Sequence, residues 1–91
     1  MVVSMINFGD VLISRPAGRE AFLMARAYVF NGIKGDDDIT LDFGEIKVLA
    51  PSWADEFISG IKSAYANKVR YANTENPSVK ASLKTVLESG C

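Results

Sequence analysis

Between Ile39 and Phe57 a short apolar segment ending in Leu41-Asp42-Phe43 leads through a compact connection into Ser52-Trp53-Ala54-Asp55-Glu56-Phe57, the opening of an amphipathic helix. A strand that passes into a helix and on to a further strand needs a crossover, and such units pack as parallel strands joined by right-handed helical connections. The helix, about Trp53 to Tyr65, sets Phe57, Ile61, Ala64 and Tyr65 on one side with Ala54 and Ile58 adjoining. That spacing matches the i, i+4, i+7, i+8 template of a face buried against a sheet.

The flanking segments extend the pattern. Val2 to Phe8 is nearly all apolar or small and reads as a buried strand; Gly9-Asp10 supplies turn residues, and Val11-Leu12-Ile13 a second strand, which together predict a hairpin. Pro16 fits the first turn of a helix running to about Phe30, with Phe22, Ala25 and Val29 in one stripe and Asn31-Gly32 at its end. Ile39 to Phe43 reads as a strand, Glu45 to Leu49 as a connection, and Val69 to Ala72 as a short strand. Asn76-Pro77 is an N-cap followed by proline at N1, opening a last helix with Val79, Leu83, Val86 and Leu87 inward and Ser89-Gly90 at its end. The architecture expected is α/β: one mixed sheet of about four strands with three helices, in a single domain over residues 1–91. A chain of this length buries roughly 60 to 65% of its unfolded surface in one core.

Several function classes are excluded or weakened by composition. Ten Lys and Arg against eleven Asp and Glu give a net charge of -1, so no long-range field draws in nucleic acid or an acidic membrane. No window approaches the ~20 apolar residues of a membrane span, and Met1-Val2-Val3-Ser4-Met5-Ile6 lacks the basic n-region of a secretory signal, so a cytoplasmic protein is expected. The single cysteine, Cys91, precludes an internal disulfide and fits a reducing compartment, its thiol reading as incidental. With no histidine the chain lacks the commonest general base and metal ligand. Asp36-Asp37-Asp38 invites a calcium reading, but calcium loops alternate their ligands and close with Glu at position twelve, where this chain has Lys47. A solvated turn is expected instead, and no motif implies a cofactor.

Chemistry concentrates at the helix start. Ser52 is placed to cap the helix, its oxygen accepting from the amide of Ala54 or Asp55, with Asp55 bonding back in the manner of a capping box. The same hydroxyl is also a candidate phosphorylation site, where an added charge of roughly -1.5 to -2 meets free helix amides. Trp53 reads either as core beneath the sheet edge or as an exposed anchor for a partner, and Asp55 and Glu56 as dipole-stabilising residues that a partner can also recognise. An enzymatic alternative sets Asp42 against Asp55 or Glu56 as an acid and base pair. A second alternative is a purely structural homodimer built on the helix face and an exposed strand edge.

Leu41-Asp42-Phe43, a spacer, Ser52-Trp53-Ala54-Asp55-Glu56-Phe57 and the upstream Gly9-x-Val11-Leu12-Ile13-Ser14-Arg15 together resemble the bacterial STAS-like domains of unknown function, over about residues 9 to 87. The resemblance implies a non-enzymatic regulatory module related to the anti-sigma factor antagonists. In those antagonists a serine at this helix start is phosphorylated by a kinase of the histidine-kinase-like ATPase fold, and Ser52 falls at that serine. The antagonists' Asp-Ser-Ser-Gly run is replaced here by Ala50-Pro51-Ser52-Trp53. The implied partner is a protein, a histidine-kinase-like ATPase, met through Ser52, Trp53, Asp55, Glu56 and Asp42.

Overall fold

The computed structural model describes residues 1–89, so the expected helix end at Gly90 and the Cys91 thiol lie outside the described residues. The chain runs β1 (Val2–Ser4), a 3₁₀ turn (Met5–Phe8), β2 (Val11–Leu12), α1 (Arg15–Tyr28), β3 (Ile39–Asp42), β4 (Val48–Leu49), α2 (Pro51–Ala64), β5 (Val69–Ala72) and α3 (Pro77–Ser89). Strands and helices alternate as the crossover argument requires, and every strand pair is parallel. The sheet is nonetheless not one mixed sheet of about four strands. Five strands form two sheets, a three-stranded one in the order β1-β3-β5 and a two-stranded one of β2 and β4.

The expected hairpin is absent for a local reason. Met5 is fully buried at the head of the 3₁₀ turn, and Gly9, at φ 121, turns the chain where an L side chain is strained. Val2–Phe8 is therefore a strand followed by a turn, a distinction that a continuous apolar run cannot carry, since its periodicity separates neither. β1 pairs with β3 instead, Val3 opposite Leu41, and β2 with β4, Leu12 opposite Leu49. β4, read from sequence as connection, is two residues long. It is held by Lys47 and Val48 amides donating to the Asp10 carbonyl and by Ala50 N donating to Leu12 O.

One hydrophobic cluster joins the elements: Ile39, Leu41 and Phe43 from β3 and its end, Phe22 and Ala25 from α1, Trp53, Phe57 and Ile61 from α2, Val79 and Leu83 from α3. α1 and α2 approach closely because of two glycines. A Cβ at Gly18 would stand 2.6 Å from the Trp53 carbonyl oxygen, and one at Gly60 would stand 2.7 Å from the Phe22 ring. α3 is tied to β4 by side chains: Asn76 caps α3 by accepting from the Ser78 and Val79 amides and donates to the Ile46 and Lys47 carbonyls. Ser78 accepts from Leu49 N, and Ser82 donates to Leu49 O. Among the described residues no helix is long and apolar enough to cross a membrane.

Candidate functional site

α2 begins directly after β4. Ala50 is its N-cap in extended geometry (φ -88, ψ 143), and Pro51 occupies the first helical position. The sequence reading of Ser52 as the cap is thereby corrected: the helix starts one residue before Ser52, which sits inside the first turn, and no side chain caps α2. The reason is Pro51, whose fixed φ and missing N–H suit the first helical position and move the boundary upstream. Ser52 is half-exposed, and its hydroxyl makes no hydrogen bond to any described residue. The capping role falls to Ser14 at α1, whose Oγ accepts from Ala17 N at 3.3 Å.

The capping-box role expected of Asp55 is also replaced. Asp55 accepts from Arg15 Nη1 at 2.9 Å and from Ser59 Oγ at 3.1 Å. The same guanidinium stands 3.9 Å from Glu56. The Arg15 hydrogen bond, aided by Ser59, holds the Asp55 carboxyl below the usual aspartate range, so it is ionised at neutral pH. Ser52, Asp55 and Glu56 are related by i, i+3 and i, i+4 and share one face of α2. The start of α1 lies against that face through Arg15.

Trp53 is 3% exposed, which gives it the core role of its two readings. It stacks on Phe57 with centroids 5.1 Å apart and meets Phe8 at 6.2 Å. Trp53 thus supports the surface from beneath, with Gly18 seated on its backbone.

Asp42 stands at the carboxyl end of β3, half-buried. Its Oδ1 accepts from Asn73 Nδ2 at 2.8 Å and from Gly44 N at 2.9 Å. The Asn73 hydrogen bond first, and the Gly44 amide second, hold this carboxyl below its ordinary value. The residue joins the ends of β3 and β5 rather than the α1–α2 surface: Glu56 lines the groove between those helices with Arg19, Phe22, Leu23, Ser59, Gly60 and Ser63, and Asp42 does not.

Two residues of the aspartate run are likewise committed. Asp37 accepts from Lys34 N, Asp38 pairs with Arg70 at 3.1 Å, and Asn67 donates to the Lys34 and Asp37 carbonyls. Among the described residues no group of His, Cys, Asp and Glu converges as a metal site. Sequence reasoning missed Arg15 and Asn73, because each reaches its carboxylate across more than thirty residues of chain and no local spacing signals it.

The sequence model of one family, described as "STAS-like domain of unknown function (DUF4325)", matches residues 27–79. The match covers more than half of the chain, from the last turn of α1 to the start of α3, and takes in Asp42 and the whole of α2. No curated protein and no solved structure matches the chain.

Proposed function

The chain belongs to the STAS-like domain family of unknown function, and on that premise we propose that it is a non-enzymatic regulatory module of the bacterial cytoplasm. It binds a protein partner, an ATPase of the histidine-kinase-like fold, through the start of α2, and phosphorylation of Ser52 releases that partner. The observation that carries the reading is Ser52 itself, which is half-exposed, has no hydrogen-bond partner for its hydroxyl among the described residues and contributes nothing as a cap. A serine held in a first helical turn without a structural task is free to serve as an acceptor.

The switch is electrostatic. The unmodified surface offers Ser52 beside a compensated cluster in which Arg15 offsets Asp55 and Glu56. A phosphate adds a charge of roughly -1.5 to -2 one turn from two carboxylates, close to helix amides that no side chain caps. It competes for Arg15 and leaves net negative charge where the partner sat, so like-charge repulsion and bulk break the contact. Trp53 and Asp42 act in this account as supports, one beneath the helix start and one at the strand ends.

Capture from an extract of its own cells tests the proposal. Immobilised wild-type protein and Ser52→Ala are expected to retain a histidine-kinase-like ATPase, while Ser52→Asp and Arg15→Glu lose it. Recovery of no such ATPase, or retention unaffected by Ser52→Asp and Arg15→Glu, contradicts the reading.

A further inference from the structure

The chain has five asparagines, and the fold treats one of them differently. The Asn67 amide nitrogen donates to the Lys34 and Asp37 carbonyls at 2.6 and 2.7 Å, and that of Asn73 donates to Asp42 at 2.8 Å. Asn76 caps α3 and precedes Pro77, whose nitrogen carries no proton. Asn7 lies in the 3₁₀ turn ahead of Phe8, whose ring packs on Trp53 and Phe57. Asn31 is exposed, and so is Gly32, the residue that follows it.

The turn around this pair is held by the residues on either side. Ile33 N donates to Phe30 O at 3.1 Å, across the pair, while neither Asn31 nor Gly32 makes a hydrogen bond to any described residue. Gly32 stands at φ 83, where L side chains are strained, and nothing elsewhere in the fold lies within 4 Å of the place a Cβ would take. The Asn31 carboxamide is thus untethered, and the Gly32 amide nitrogen has no acceptor to give up. The glycine also supplies the backbone freedom that lets the two groups meet.

We infer that Asn31 is a site of spontaneous deamidation through a cyclic imide. The Gly32 nitrogen, its proton lost to solvent hydroxide, attacks Asn31 Cγ. The new N–Cγ bond forms as Cγ–Nδ2 breaks, and Nδ2 takes up a proton and leaves as ammonia. Water then adds to one of the two imide carbonyls and breaks that carbon's bond to the ring nitrogen. Opening at Cγ leaves aspartate in an unaltered main chain; opening at the Asn31 carbonyl carbon leaves isoaspartate, whose main chain is longer by one methylene. Either product turns a neutral amide into a carboxylate, so the net charge moves from -1 to -2. The new charge lies just beyond Val29, the C-cap of α1, at the carbonyl end of the helix, where the dipole disfavours an anion. Isoaspartate also lengthens the turn next to Phe30, which is buried in the core. Modification therefore loosens the last turn of α1.

Peptide mapping of the full chain tests the inference, with the protein aged at neutral and mildly alkaline pH, folded and in parallel in urea, and isoaspartate located by electron-transfer fragmentation. In the folded protein the product is expected at position 31 several times faster than at any other asparagine, and faster at the higher pH because the attacking nitrogen must be deprotonated. Asn31→Gln, which closes a ring only with difficulty, is expected to remove the product while keeping the wild-type far-UV circular dichroism, and Gly32→Ala to slow its formation. The modified protein is expected to melt below the unmodified one. A folded chain that forms no product at position 31, whether or not the unfolded chain does, overturns the inference. So does modification as fast at Asn7, Asn67 or Asn73 as at Asn31, or a rate that Gly32→Ala leaves unchanged. An unaltered melting temperature in the modified protein overturns the effect on α1.

Discussion

Ser14 and Ser52 each stand at the opening of a helix, and only Ser14 bonds to one. Ser14→Ala is expected to cost about 1 kcal/mol, the usual worth of an N-cap. Ser52→Ala, with no hydrogen bond to lose, is expected to stay within about 0.5 kcal/mol of wild type in urea denaturation. Ser14 also sits at φ 74 and ψ 141, a region costly to any residue with a Cβ, so Ser14→Gly is expected to match or exceed wild-type stability despite the weaker cap. The site was half legible at this scale. The Ser52 position and its acidic neighbours follow from residue types alone, but the cap assignment turned on Pro51, and Arg15 and Asn73 arrive from distant chain. Those two partners also set the pH response. Asp42 and Asp55 both have carboxyls below the ordinary aspartate value in the fold, so their contribution is present above the unfolded value of about 3.9 and is lost as pH falls through the folded ones. Stability is expected to be insensitive to these groups between neutrality and about pH 5 and to fall below about pH 4, with a shallower acid limb in Asp42→Asn and Asp55→Asn. An acid limb unchanged in both variants contradicts the assignment.

At the level of elements, the three helices were readable because each carries a long amphipathic pattern with a proline near its start: Pro16, Pro51 and Pro77. The strands were less so. β2 was read from the apolar run Val11-Leu12-Ile13, whereas β4, two residues long, is too short for an alternation to register and is defined by partners at Asp10 and Leu12 and by the serines of α3 rather than by its own residues. The fit of α1 on α2 depends on small residues that helix propensity alone would discourage. Gly18→Ala gains about 1 kcal/mol of propensity, yet its Cβ meets Trp53 backbone atoms at 2.6 and 2.9 Å, which no rotamer change relieves. It is expected to destabilise by about 1–3 kcal/mol and to raise the accessibility of Trp53 to acrylamide quenching. An unaffected melting temperature with unchanged quenching contradicts this packing.

For the molecule as a whole, the alternation of strands and helices predicted parallel pairing, and the pairing is parallel throughout; what the alternation did not carry was the division into two sheets, which the 3₁₀ turn at Met5–Phe8 imposes. The result separates two surfaces by chemistry. One is the charged face where Arg15 meets Asp55 and Glu56 next to the hydroxyl of Ser52, and the other is an apolar groove along β1. The regulatory claim depends on a single atom, Ser52 Oγ. Phosphosite mapping by mass spectrometry of the protein isolated from its own cells tests it most directly. The account predicts one phosphate, on Ser52, absent from Ser52→Ala; no phosphate under any growth condition, or a phosphate carried on another residue, contradicts it.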